Sequence, residues 1–547
     1  MHPRNPYHNA PDFESLAHSY PPLLKHLKGQ TINFHDDAAQ RCLTQALLKR
    51  DFDLEITLPS DRLCPPVPNR LNYVLWIQDI VRAHADGVLG SGRLNVRGLD
   101  IGTGASAIYP LLACRLEPEW TFVATEIDQH SFDQAQTNVA SNGLTDRIRV
   151  VKVEHPHIDA SSPAQCEVST EDGDEMPMPN EGGRGLQAFG FNQLFANRAA
   201  AWSACNSEPK TMADADLMIE FTMCNPPFYS SAADVLRSEE GKEAGPFGVC
   251  TGAPVEMITP GGEARFVNDM VRESVLGTGL QAVATHRAQP ASQGDDSEAR
   301  ARKRRRVGTP DANLRATGFS PAEPPTIEGT KTLQSRWYTS MLGKLSSVSE
   351  VVDTIKAVGI TNYAITEFVQ GPTRRWAVGW SLGKWRLGDE IARIPNPNPT
   401  LQRLLPPRNT LRLPAGPQGV EGKLREVLAG IDGVSMEVRT EDRSVSYAGT
   451  SAEESPSTGV KIVARAQRDT WSRSARRKRQ KGESAPHPIS QASSVGVGSA
   501  SNASDPALIC TVVANGNELE FRWVYGGERA LFESFASHVG KKVGTGG

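Results

Sequence analysis

Apolar residues fall along the chain in two rhythms: one at every third or fourth position, the other in short, nearly continuous runs. Cys42, Leu43, Ala46 and Leu47 predict a helix from Ala38 to Leu48, and Leu54 to Leu58 alternates as a short strand would. Prolines 65, 66 and 68 punctuate, and Arg70 to Trp76 opens a helix reaching about Ala83. From there strands and helices alternate. The strands are Leu94 to Ile101, Trp120 to Thr125, Ile148 to Val153, Leu217 to Cys224 and Trp337 to Leu342. Between them lie an apolar helix from Ile108 to Leu116, an amphipathic one marked by Phe132, Ala135 and Val139, and a third carrying Phe266, Val267, Met270 and Val271. A helix with Val351, Val352, Ile355 and Val358 follows, then Tyr363 to Val369 and Arg375 to Leu382, joined through Gly371-Pro372 and hence antiparallel. The pattern predicts an α/β fold of Rossmann-like type, with a seven-stranded sheet ending in an antiparallel pair.

The rhythm breaks in places, and the breaks divide the chain. Residues 1–35, rich in Pro, His and Tyr with Arg4, Lys25 and Lys28, read as a basic N-terminal arm. Residues 36–390 form the α/β domain, interrupted by polar, disorder-like insertions at about 157–212, which holds the acidic run Glu171 to Glu175, and about 281–330. Residues 391–417 read as a proline-rich linker. Residues 418–547 read as a small α+β module, interrupted by a basic, serine-rich insertion at about 470–504. In that module Leu424, Val427, Leu428 and Ile431 mark a helix, and Val434 to Val438 and Val460 to Gln467 mark strands. Leu508 to Ala514 and Glu518 to Tyr525 flank an Asn515-Gly516 hairpin turn, and Leu531, Phe532, Phe535 and Val539 mark a closing helix.

Composition adds little to this division. The net charge of −4 over 547 residues neither requires nor excludes a nucleic-acid partner. The 8 cysteines form no C-x-x-C pair, which argues against a zinc site or a disulfide framework and for a reducing, intracellular setting. No run of about 18 apolar residues occurs, so no membrane-spanning helix is expected. His35, Asp36 and Asp37 read as the turn into the Ala38 helix rather than as metal ligands, and no metal is expected.

Candidate chemistry gathers where strands end. The first strand runs into Asp100-Ile101-Gly102-Thr103-Gly104-Ala105-Ser106, whose glycines let the backbone approach a ligand beside a helix N-terminus. Glu126, at the end of the second strand and 24 positions after Gly102, is placed to bind ribose hydroxyls. The fourth strand stops at Asn225-Pro226-Pro227-Phe228. There the Asn225 side-chain oxygen and the Pro226 carbonyl can each accept one N–H of an exocyclic amine, Pro227 fixes the turn, and Phe228 offers a ring for a base to stack on. The glycine turn alone also suits a nicotinamide dinucleotide. Asp100 before it and Asn-Pro-Pro-Phe on the fourth strand shift the reading to a class I S-adenosyl-L-methionine-dependent methyltransferase.

In order, Pro11-Asp12-Phe13, Arg70-Leu71-Asn72-Tyr73, Asp100 to Ser106, Ala124-Thr125-Glu126, Cys224 to Phe228, Gly261-Gly262-Glu263, Met341 to Lys344 and Thr366-Glu367-Phe368 form a set. Over residues 1–382, the two insertions aside, that set resembles the methyltransferase-like protein sixteen family, the U6 small nuclear RNA adenosine N6-methyltransferases, in a fungal-type form with long insertions. The resemblance implies S-adenosyl-L-methionine as cofactor, with Arg70, Asp100, Gly102, Gly104, Ser106, Glu126 and Asn225 at or beside it. It also implies catalysis at Asn225 to Phe228, RNA contacts from Arg4 and Arg375, N6-methyladenosine in U6 RNA as product, and a nuclear location, with the cytoplasm as a second. Pro372 stands where the family usually has arginine. The C-terminal module resembles the family's vertebrate conserved region, a kinase-associated-like fold that grips the U6 stem-loop. The basic runs Arg300–Arg306 and Arg473–Lys481 read as nuclear-import signals, with phosphate binding or a plain solvated segment as the other readings. Two other functions suit the same motif: methylation of protein glutamine amides, and a splicing factor that acts by binding RNA without catalysis.

Overall fold

The computed structural model describes residues 1–88, 96–153, 219–240, 252–275, 335–371, 373–416, 419–439, 460–480 and 505–544. The long insertions, the run Arg300–Arg306 and Pro372 lie outside them.

Near-continuous apolar runs make the central strands, because a parallel strand covered by helices on both faces has no polar side to show. The runs are β1 (Arg97–Ile101), β2 (Thr121–Glu126), β3 (Ile148–Lys152) and β4 (Ile219–Cys224), followed by β5 (Ser335–Leu342), β6 (Asn362–Gln370) and β7 (Thr373–Ser381). They form one sheet in the order β3-β2-β1-β4-β5-β7-β6, parallel from β3 to β5, with β7 antiparallel to both its neighbours. The order reverses between β1 and β4, and the crevice beyond their carboxyl ends is where such sheets bind ligands. Gly98 is required at the centre of β1. A β-carbon there would lie 2.6 Å from the ring of Phe122 and 2.7 Å from that of Phe221.

Around this sheet pack α3 (Val67–Val88), α4 (Ile108–Leu116), α5 (Gln129–Ser141), α6 (Gly262–Ser274) and α7 (Leu345–Ala357), with α1 (Phe13–Ser19) and α2 (Asp37–Phe52) ahead of them in the chain. Asp36 caps α2, its carboxylate accepting the N–H of Ala38 and Ala39, which is the turn expected there.

Three expectations need correction. Residues 1–35 are packed, not an arm: Tyr7, Phe13, Leu16, Ala17, Leu23 and Ile32 are all buried in the main core, and Asp12 caps α1. Their apolar positions are too irregular to show a period. Leu54 to Leu58 is extended, with Leu54, Ile56 and Leu58 buried, yet it joins no sheet. Two asparagines, Asn138 on α5 and Asn142 at its C-cap, take the place of a neighbouring strand. Asn142 exchanges both hydrogen bonds with the backbone of Glu55 (2.9 and 2.7 Å), and Asn138 does the same for Thr57 (2.8 and 3.1 Å). Of the stretch read as a proline-rich linker, 391–417, the described residues 391–416 are packed and not a free linker. Asn398 and Pro399 start a short helix, Pro399–Leu404, that buries Leu401, Leu404 and Leu405, and β8 (Thr410–Pro414) follows at once.

β8 is the edge of a second, all-antiparallel sheet, β8-β12-β11-β10-β9, so this unit begins ahead of residue 418. Its other strands are β9 (Val434–Arg439), β10 (Val460–Ala466), β11 (Leu508–Asn515) and β12 (Glu518–Tyr525). It packs with α8 (Val420–Ala429) and α10 (Arg529–Gly544) around Leu424, Phe521, Phe532 and Phe535. The start of the expected insertion at 470 is ordered too: Trp471 is buried edge-on to Phe535 at 5.0 Å, and the basic run opens as the helix α9 (Arg473–Gln480). The two units meet where the chain leaves β7. Arg386 N–H donates to Val524 O (2.9 Å), and Gly526 N–H donates to Lys384 O (3.0 Å). Trp385 stands edge-on between His84 (5.1 Å) and Tyr525 (4.9 Å), while the Arg386 guanidinium lies 4.3 Å from the centre of the Trp523 ring.

Candidate active site

The turn after β1 needs glycine for its backbone angles. Gly102 and Gly104 have φ of 69° and 65°, the left-handed region that other residues avoid, and a β-carbon at Gly102 would meet nothing within 4 Å. Thr103 N–H donates to Thr125 O at 2.8 Å, tying the turn to β2. Asn138 on α5 donates to Ala105 O at 2.9 Å from the other side.

Glu126 closes this turn from within. Its carboxylate accepts N–H bonds from Gly104 (2.8 Å), Ile127 (2.8 Å) and Asp128 (2.9 Å). Burial raises its pKa, and those donors oppose the rise. The residue expected to hold ribose therefore also fixes the glycine turn. Asp100, one strand over, is fully buried, and neither of its oxygens reaches a hydrogen-bond partner. Burial pushes it up to about 7; the nearby Thr103 hydroxyl and the charge of Arg70 oppose that rise, and the charge of Glu126 adds to it. Arg70, on α3, is itself buried, 5.7 Å from the centre of the Tyr109 ring and 3.8 Å from the Met341 sulfur.

At the end of β4 the ladder gives way to side chains. Backbone pairing of β4 with β5 runs only to Phe221 and Trp337, and hydroxyls continue it. Thr339 N–H donates to the Thr222 hydroxyl (3.2 Å), and the Thr339 hydroxyl donates to Thr222 O (2.6 Å). Tyr73, on α3, sits 2.6 Å from that hydroxyl and accepts Cys224 N–H at 3.3 Å. This chain of bonds fixes the backbone one residue before Asn225. The Asn225 side-chain oxygen is buried and has no partner. A buried acceptor left bare is costly unless something brings it a donor.

One cleft is lined by Arg70, Gly102, Gly104, Ser106, Glu126, Asn225, Pro226 and Pro227, so the structure brings these predicted residues together, with Asp100 directly behind them. Phe228 lines a second, larger cleft, with Arg375, Arg374, Tyr7, Phe13 and Phe34, and Arg70 lines both. The Arg375 guanidinium is 5.6 Å from the centre of the Phe228 ring. Arg4 lines neither cleft. Its guanidinium donates to Gln78 Oε1, Leu75 O and Asp79 on α3, so it pins the N-terminal segment instead of lining the site. The sequence reading missed Glu256, whose half-buried carboxylate accepts Leu63 N–H (2.9 Å) and Ala253 N–H (3.0 Å) in the first cleft. It also gave no part to Tyr73, or to Glu263 within Gly261-Gly262-Glu263. Tyr73 and Glu263 carry no local signal because they act on residues far away in sequence, and the bond of Glu256 to Ala253 reads locally as no more than a helix start.

The chain matches the model of a family described as RNA methyltransferase over residues 1–159, 209–283 and 327–384. It is a member of that family. Among curated relatives, RNA N(6)-adenosine-methyltransferase mettl16 of Xenopus laevis is 30% identical over 75% of this chain and 56% of its own length. The U6 small nuclear RNA (adenine-(43)-N(6))-methyltransferase of Schizosaccharomyces pombe is 27% identical over 95% of this chain and 97% of its own length. Against vertebrate members of the RNA methyltransferase family, then, the chain spans little more than half their length. A crystal structure of the hMettl16 catalytic domain with a 3′UTR hairpin is 29% identical, covering 73% of this chain and 99% of that one, at a TM-score of 0.44.

Proposed function

We propose that this protein transfers a methyl group from S-adenosyl-L-methionine to the N6 amine of an adenosine in RNA, with U6 small nuclear RNA as substrate. The observation that carries this reading is the bare, buried oxygen of Asn225 in the first cleft, three positions before Phe228 in the second. An exocyclic amine brought there would supply the missing donor. The Pro226 carbonyl accepts the second N–H, and Phe228 offers its ring to the base from the side of Arg375.

The first cleft suits the cofactor chemically. The Glu126 carboxylate lines the cleft and Asp100 lies buried behind it, which favours a cationic ligand, and the left-handed Gly102 leaves an open floor. S-adenosyl-L-methionine, when bound, supplies an electrophilic methyl group. Asn225 and Pro226 hold the amine so that its lone pair points at the first cleft, and they favour the geometry that develops at nitrogen as it reacts. Tyr73, through Cys224, keeps the Asn225 backbone from shifting. The released N6 proton passes to solvent through the second cleft.

The likeness to the Schizosaccharomyces pombe enzyme along nearly its whole length supports U6 RNA as the substrate, and with it a nuclear role in RNA processing. The second sheet unit, with the basic helix α9, is proposed as a further RNA-binding surface. Methyl transfer from labelled cofactor to U6 RNA, beside the same RNA with the target adenosine replaced, tests the reading. Label is expected on the first RNA alone. Asn225→Ala is expected to lower turnover by about 100-fold or more while RNA affinity stays within about twofold. Label on protein instead of RNA would overturn the reading in favour of glutamine methylation.

A further inference from the structure

Glu263 has no part in the mechanism above, yet it is only 2% exposed and ends beside the base-stacking ring. The chain reaches it from that ring. Tyr229, next to Phe228, pairs with the segment around Ile258: Tyr229 N–H donates to Met257 O and Thr259 N–H to Tyr229 O, each at 2.9 Å. Gly261 and Gly262, with φ of 76° and 68°, turn the chain sharply into α6. This delivers the Glu263 carboxylate to two backbone donors in a distant turn, Gly343 N–H at 2.7 Å and Lys344 N–H at 2.9 Å. Both lie just beyond β5, where no ladder partner remains, and Lys344 opens α7 without a side-chain cap of its own. The consequence falls on Phe228. A β-carbon at Gly343 would sit 3.1 Å from Phe228 Cδ1, 3.5 Å from its Cε1 and 3.3 Å from Glu263 Oε2. The ring rests on the bare backbone of Gly343, where an added β-carbon would press on it, and Glu263 holds that backbone in place.

We propose that Glu263 is a positioning residue for the target base: by clamping the Gly343–Lys344 peptide it fixes the plane of the Phe228 ring. This deepens the methyltransferase reading and rests on it. Both carboxylate oxygens are occupied by backbone donors, so Glu263 acts as a bracket and takes no proton from the substrate.

The test uses the full chain with 4-fluorophenylalanine placed at position 228 and read by fluorine NMR, which needs neither RNA nor turnover. Gly343→Ala and Glu263→Gln are expected to shift or broaden the resonance. Glu350→Gln, exposed on α7, should leave it unchanged. An unmoved resonance in Glu263→Gln overturns the proposal, whatever Gly343→Ala shows. Glu263→Gln keeps the side-chain volume, so the test stands even where Gly343→Ala does not fold. In turnover, each variant should lose about tenfold in kcat with cofactor affinity within about twofold, and the loss should nearly vanish in a Phe228→Leu background. Equal losses in both backgrounds would overturn the bracket, as would a pH–rate limb that disappears in Glu263→Gln, which would make the residue a proton carrier. A wild-type protein that labels no RNA defeats the proposed function alone, and leaves the fluorine result to decide the role of Glu263.

Discussion

Asp100 shows how one side chain links stability to ligand. Burial without a hydrogen-bond partner lifts its pKa from 3.8 to about 7, so the folded state prefers it protonated. A raised acid contributes stability that is fully present below its unfolded pKa and is lost as pH rises through the folded one. The ligand-free protein should therefore soften as pH climbs from about 4 to about 7, and Asp100→Asn should remove that slope in thermal melts across the range. A cationic ligand in the neighbouring cleft reverses the preference by favouring the carboxylate. Affinity for S-adenosyl-L-methionine should rise through pH of about 7 in wild type and stay flat in Asp100→Asn, as measured by calorimetry. Tyr73 works at the same scale. Tyr73→Phe strips Cys224 N–H of its acceptor inside the core and should cost about 1–3 kcal/mol in denaturant melts, with turnover falling further than cofactor binding.

At the scale of elements, what the sequence revealed depended on where each element finds its partners. The strands of the main sheet are legible because burial on both faces leaves a local trace, an apolar run. The glycine turn and Asn225 to Phe228 are legible because their conformation is set within a few residues. Leu54 to Leu58 misled because alternation reports burial of one face and says nothing of what satisfies the backbone. Here that is Asn138 and Asn142, more than eighty positions away. Asn138→Ala should release both this segment and Ala105, costing about 1–3 kcal/mol and weakening cofactor binding more than Asn142→Ala, which never touches the glycine turn. Paired equilibrium melts and cofactor titrations of the two variants would check this. The prolines at 399 and 414 misled in a related way. One starts a helix and the other ends a strand, where a run of prolines without context reads as a spacer.

At the scale of the whole molecule, the two sheets are joined without a free linker, and truncations should reveal it. A chain ending at Gly416 keeps β8 while removing β12, its one sheet neighbour among the described residues, and so leaves a bare strand edge. Ending at Leu405 keeps the buried helix Pro399–Leu404 and drops β8. The shorter chain should therefore be the more soluble by light scattering, and should lose RNA affinity while holding cofactor affinity near that of the full chain. The junction at Trp385 and Arg386 carries a wider consequence. Hydrogen-bonded to β12 and wedged between aromatic rings of both units, it acts as a welded joint instead of a hinge. On the proposed function, a protein built this way behaves as a caliper: the span between its candidate catalytic cleft and its proposed RNA-binding unit is preset. Substrates would then be chosen by the length of duplex separating a grasped stem from the displaced base as much as by the letters around that base.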